Sequence, residues 1–181
     1  MAEVRDTGWY PGNYRPDPVE YPPHYRTAPL IRIRNLAGHR LRPKRREIWH
    51  RAVSDAVAGW HGAGVLLFQV QRSDDDILRG HRINVDVRDT DDGTRGQACF
   101  QCPPCGNNEC AWAFIDTAWF GSQAASNVRR PLVEVIGHEI GHCLGFGHPP
   151  VGSTGIMAPY PTQPYPNAEE VAALAAYYGV H

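Results

Sequence analysis

The strongest chemistry in this sequence lies in one short stretch, His138-Glu139-Ile140-Gly141-His142-Cys143-Leu144-Gly145-Phe146-Gly147-His148. On a helix, positions four apart differ by about 40° and one turn. The imidazoles of His138 and His142 therefore face one way and can share a Zn²⁺ at about 2.0–2.1 Å. Glu139, rotated by about 100°, is poorly placed as a ligand but can reach a water beside the ion. Gly145 stands where a helix can end in a left-handed turn that glycine adopts without steric cost. That reversal returns His148 as a third ligand. Three protein ligands leave one coordination position open, as in catalytic zinc sites, whereas structural zinc normally takes four protein ligands. Zinc held this way brings the pKa of a coordinated water down toward about 7, and Glu139 can take its proton and pass it to a leaving group.

A helix must carry the first two histidines, and the pattern predicts one from about Pro131 to Leu144. Leu132, Ile136, Ile140 and Cys143 form an apolar stripe, extended by Val133 and Leu144. The histidines lie on another side, so the helix has an apolar back and a polar front. Cys143 reads as a buried free thiol. Upstream, Leu30–Arg34 alternates like a strand, and Pro43 to Trp60 carries a helical stripe that Gly62 and Gly64 end. Further strands are expected at Val65–Gln71, Arg82–Arg88, Gln97–Gln101 and Ala111–Asp116. Residues 145–166 read as irregular. A last helix starts at the N-cap residue Asn167, with Glu170 completing a capping box and Val171, Leu174, Ala175 and Tyr178 as its expected inner face.

The motif from His138 to His148, with Met157 nine residues beyond, resembles the metzincin peptidases, which share three histidines, a glutamate and a methionine turn. Within that clan the chain is most similar to the matrixins, the catalytic domains of matrix metalloproteinases, over roughly residues 28–180. The weaker matches are Ile31–Asn35, Ile83–Val87, Ala98-Cys99-Phe100, Phe114-Ile115-Asp116 with Trp119-Phe120, and Glu169-Glu170-Val171 through Tyr178-Gly179. The resemblance implies an α+β, zincin-like fold. That fold has a twisted, mostly parallel five-stranded sheet with an antiparallel edge strand, an active-site helix and a C-terminal helix. It also implies a zinc-dependent endopeptidase acting on proteins or peptides, with Glu139 as general base and Met157 beneath the three histidines. Substrate would pair with the edge strand at Ala98, Cys99 and Phe100, beside a pocket wall that includes Pro159 and Tyr160. Matrixins bind calcium in nearby loops, which makes Asp89, Asp91 and Asp92 a calcium candidate beside the plain reading of a solvated acidic loop. Two departures stand out. Pro149 follows the third histidine where matrixins carry serine or threonine, and no histidines match the structural zinc site of that family.

The 181 residues fit a single catalytic domain, residues 30–181, preceded by a Pro/Tyr-rich extended arm, residues 1–29. That arm is either a loose tail or a docking segment, so a non-catalytic or particle-associated module in a larger assembly is the alternative function. A net charge of −1 gives no general reason to expect nucleic acid; the basic run Arg40–Arg51 is the one feature that suggests it. No apolar run is long enough to span a membrane, and the first residues do not read as a signal peptide. Cys99, Cys102, Cys105 and Cys110 form a local cluster that could hold two disulfides, bind zinc or an iron–sulfur group, or remain thiols. The disulfide reading points to an extracellular or particle-exposed setting.

Overall fold

The computed structural model describes residues 30–36, 41–71, 82–90, 93–100, 110–124, 126–149 and 152–178. In chain order these form β1 (Leu30–Asn35), α1 (Pro43–Gly62), β2 (Leu67–Gln71), β3 (Arg82–Arg88), β4 (Gly96–Phe100) and β5 (Cys110–Asp116). The helices α2 (Thr117–Ser122), α3 (Arg129–Cys143) and α4 (Ala168–Tyr178) follow. The five strands make one sheet in the order β2-β1-β3-β5-β4. All neighbours run parallel except β4, which lies antiparallel to β5 at the edge. This is the α+β arrangement expected above.

Register explains the core. Ile33 pairs with Ile83, and Val85 and Val87 pair with Ala113 and Ile115, so one sheet face is apolar. Helices α1 and α3 pack on each other and on the sheet. They close a core that includes Trp49, Val53, Trp60, Leu132, Ile136 and Ile140, each nearly inaccessible to solvent. Both buried indoles find acceptors, as such groups must. Trp49 Nε1 donates to Asn35 Oδ1 at 2.6 Å, and Trp60 Nε1 donates to the Gly137 carbonyl at 2.9 Å. The second bond ties α1 directly to the helix that carries the histidines. On the other face of β3, Asn84 and Asp86 are buried as well, so that strand is covered on both sides.

Several boundaries differ from the sequence expectation for local reasons. Helix α1 continues through Gly62 and stops at Gly64, whose φ of 75° only glycine adopts easily. Strand β2 begins at Leu67, not Val65. Helix α3 starts at Arg129, two residues before Pro131; a proline in the first turn has no helical hydrogen bond to lose. Helix α2 was not expected. Asp116 begins it, accepting from the Trp119 amide at 2.5 Å and from the Thr90 amide and hydroxyl at 3.1 and 3.0 Å. Burial raises the Asp116 carboxyl, but these donors and the Ala118 amide outweigh it and hold the group below its ordinary value of 3.8.

The basic run that opens α1 has internal work. Arg45 donates to the carbonyls of Phe120, Gly121 and Gln123 at the end of α2, where the helix dipole favours a cation. Arg46 donates to Leu41, and Arg51 pairs with Glu47. Arg40 and residues 1–29 lie outside the described residues, and with them the proposed arm. No helix among the described residues is long and apolar enough to cross a membrane.

Candidate metal centre

Helix α3 presents His138 and His142 from its last two turns, with the apolar stripe on its back buried as expected. The helix ends in a paired reversal. The Gly145 amide donates to the His142 carbonyl at 2.9 Å, and the Phe146 amide donates to Gly141 at 3.1 Å. This double bond pattern requires a residue at positive φ, and Gly145 has φ 108°. The turn sends the chain back, and His148 meets the other two rings.

The three Nε2 atoms form a nearly equilateral triangle. Their separations are 3.0 Å between His138 and His148, 3.0 Å between His142 and His138, and 3.2 Å between His142 and His148. Three nitrogens at about 2.0–2.1 Å from one ion, in tetrahedral directions, would stand roughly 3.3–3.4 Å apart. The triangle fits zinc to within a few tenths of an ångström. The opposite ring atoms fix the tautomer. His138 Nδ1 lies 2.7 Å from the Ile156 carbonyl, and His142 Nδ1 lies 2.7 Å from the Phe146 carbonyl. A carbonyl only accepts, so each Nδ1 carries the proton and each Nε2 offers a lone pair to a metal. Burial pushes the His138 pKa down to about 4, against the pull of the Ile156 carbonyl. Burial and the neighbouring histidines hold His142 well below its ordinary value too. Both rings are thus neutral and ligand-competent at neutral pH.

Glu139 is buried beside this triangle, and burial raises its carboxyl to about 8. A divalent cation next to it would act in the opposite direction. Strand β4 passes close by: a Cβ on Gly96 would fall 2.6 Å from Glu139 Oε1 and 2.8 Å from Val135 Cγ1. Glycine at 96 is therefore what lets the edge strand approach the carboxylate, a role not read from the sequence.

Met157 is fully buried. Its sulfur lies where a side chain at Gly141 would be, and Trp60 closes the same space at 2.9 Å. The glycine inside the histidine motif is thus the seat of the methionine. The turn is held from α4. Glu170, with no solvent exposure, accepts from the amides of Met157 at 2.8 Å, Ile156 at 3.3 Å and Asn167 at 2.8 Å. Asn167 Oδ1 accepts from the Glu170 amide at 2.8 Å, completing the expected capping box. Burial raises the Glu170 carboxyl and the three amides draw it down, with a net rise. The inward turn of Glu170 also corrects the expected face of α4. Ala173 and Leu174 are buried with it, while Val171 and Ala175 are only half-buried and the Tyr178 side chain lies outside the described residues.

The other sequence candidates are placed as follows. Ala98 is half-buried on β4; of Cys99 and Phe100 only the backbone is described. Pro159 and Tyr160 sit at the exposed tip of a loop closed between Gly155 and Thr162, and Tyr160 is 84 % exposed. Cys102, Cys105 and the side chains of Cys99 and Cys110 lie outside the described residues; among those described there is no disulfide, and Cys143 is a buried free thiol as expected. Asp89 is exposed, and Asp91 and Asp92 lie outside the described residues, so nothing supports calcium. Among the described residues, His138, His142 and His148 are the one cluster of three or more metal-ligating side chains.

Residues 36–175 match the Matrixin family of peptidases. The chain belongs to the matrixin family. No curated protein matches the chain. Matrixin membership accounts for the mixed sheet with one antiparallel edge strand and for a three-histidine site suited to zinc.

Proposed function

We propose that this matrixin is a zinc-dependent endopeptidase that hydrolyses peptide bonds in proteins. The observation that carries the reading is the triangle of three Nε2 atoms, with the adjoining Glu139 carboxyl buried. His138, His142 and His148 would hold the ion, with Met157 packed beneath Gly141. Zinc bound there supplies an acidified water and polarisation of the scissile carbonyl. Glu139 accepts a proton from that water at its carboxylate and then delivers it to the leaving amine. An extended peptide lies along β4, whose outer edge has no partner strand among the described residues, and exchanges main-chain hydrogen bonds around Ala98, Cys99 and Phe100. Gly96 keeps that strand close to Glu139. Pro159 and Tyr160 flank the substrate from the loop that follows Met157. Residues 30–181 form the catalytic domain in this reading and residues 1–29 an arm; the setting is extracellular or particle-exposed.

The test is cleavage of an unfolded protein by the zinc-loaded chain, blocked by a hydroxamate or a chelator. Glu139→Ala should retain zinc by elemental analysis and lose cleavage by roughly 10²–10⁴-fold. A pure, zinc-loaded Glu139→Ala protein with full activity would falsify the assignment.

A further inference from the structure

Gly59 stands in the last turns of α1, where alanine would make the stronger helix. A Cβ at Gly59 would fall 2.5 Å from Tyr165 Cδ1, closer than carbon atoms pack. The Tyr165 ring therefore occupies the notch that the missing side chain leaves. The next residue, Trp60, donates its indole N–H to the Gly137 carbonyl of α3. Gly137 is itself a seat for the chain that follows His148. A Cβ there would fall 2.5 Å from Ile156 Cδ1 and 3.6 Å from the Pro164 carbonyl. One short stretch of α1 thus holds both the helix that carries His138 and His142 and the far limb of the loop that carries Pro159 and Tyr160. Beside these contacts the limb borders an open cavity of about 690 Å³, lined from the other side by Asp55, Arg129 and Val133. Tyr165 is 49 % exposed, so one face of it meets solvent and the notch on α1 is what places it.

We infer that Tyr165, seated on Gly59, is a positioning residue for substrate binding: it fixes the spacing between α3 and the loop that flanks the substrate. The inference rests on the endopeptidase reading above. Tyr165 touches no substrate in this role and acts through the loop. Four of the eight residues 159–166 are proline, each with φ held at about −65°, and proline-rich segments behave as semi-rigid spacers. The loop is also tied back on itself. The Thr162 amide donates to the Gly155 carbonyl at 3.2 Å, and the Gly155 amide donates to Thr162 Oγ1 at 3.1 Å. A stiff limb carries a shift at Tyr165 toward the Pro159–Tyr160 tip instead of absorbing it. The near end of the loop is held separately, by the Glu170 carboxylate at the Ile156 and Met157 amides. The metal centre therefore keeps its place while the tip moves. Loss of the seat weakens substrate binding and spares the chemistry at Glu139, which raises KM with little change in kcat.

The experiment compares peptide-library profiles, KM and kcat of the zinc-loaded full chain with those of four variants. Gly59→Ala drives the ring out of its notch, and Tyr165→Ala removes a half-exposed ring without opening the core. Each should raise KM roughly ten-fold, the scale of one lost pocket contact, and broaden the residue preference at one position beside the cleaved bond. Zinc content should match wild type. Because alanine is the better helix former at position 59, a loss there reports the ring and not α1. Tyr165→Phe keeps the ring in place and should retain the wild-type KM. The double variant Gly59→Ala/Tyr165→Ala should be no worse than either single change, since both act through one contact. Unchanged KM and profile in both single variants, a Tyr165→Phe as impaired as Tyr165→Ala, or effects that add in the double variant overturn the inference and leave the endopeptidase reading intact. A zinc-loaded wild-type chain that cleaves nothing sinks both.

Discussion

Gly96 and Gly141 matter through the atoms they lack. At Gly141 a side chain would occupy the space of the Met157 sulfur, and at Gly96 it would press into Glu139 and Val135. The two differ in what can yield. Around Gly141 the neighbours are a buried methionine and a buried tryptophan, so the core must repack. At Gly96 the nearest atom ends a side chain, and the carboxylate can swing away. Gly96→Ala should therefore keep the fold and the zinc while moving Glu139 off its station. A misplacement of about 1 Å can cost around 10²-fold in rate, so kcat/KM should fall by about that much with zinc content unchanged. Unaltered kcat/KM would show that Glu139 does not depend on this close approach.

Each element reaches the centre by way of another. Helix α1 holds α3 through Trp60, α4 holds the Met157 turn through Glu170, and Arg45 binds α1 to the end of α2. Asp116, between β5 and α2, makes a titratable joint. Its carboxyl is held below 3.8 by the donors around it, so it favours the folded state above its unfolded pKa. That contribution is lost as pH falls through the lower, folded value. Asp116→Asn should be less stable than wild type at pH 7, and the gap should close below about pH 4. Denaturant unfolding at both values measures this; a gap independent of pH would contradict it. The parts legible in the sequence were those carried by local spacing: the i, i+4 histidines, the glycine reversal, the Asn167–Glu170 cap and the alternation of β3. What stayed hidden depends on neighbours distant in the chain. Nothing around position 96 signals Glu139, and nothing around Glu170 beyond its cap signals the amides of Ile156 and Met157. Helix α2 escaped because its six residues are too few for a hydrophobic period.

For the whole molecule, the three ligands converge only once α3 and the reversal at Gly145 have formed, so metal occupancy and folding are linked. Zinc bound only by the folded state adds about 4 kcal/mol at a thousand times its Kd. In a chain of this size each kcal/mol moves Tm by roughly 2–4 °C. Removing zinc with a chelator should lower Tm by roughly 8–16 °C by the same arithmetic, and His138→Ala should abolish the difference. Equal melting with and without zinc would argue that the triangle holds no metal tightly.

The bond from Glu170 to the turn that steadies His138 bears on the order of events during synthesis. A growing chain still on the ribosome has its motif, including Glu139, and its methionine well before residue 170 emerges. Until then the turn that offers the Ile156 carbonyl to the first imidazole lacks the Glu170 carboxylate that binds its amides. The first imidazole therefore gains this support only when α4 docks, which makes the C-terminal helix a late partner in assembling the triangle.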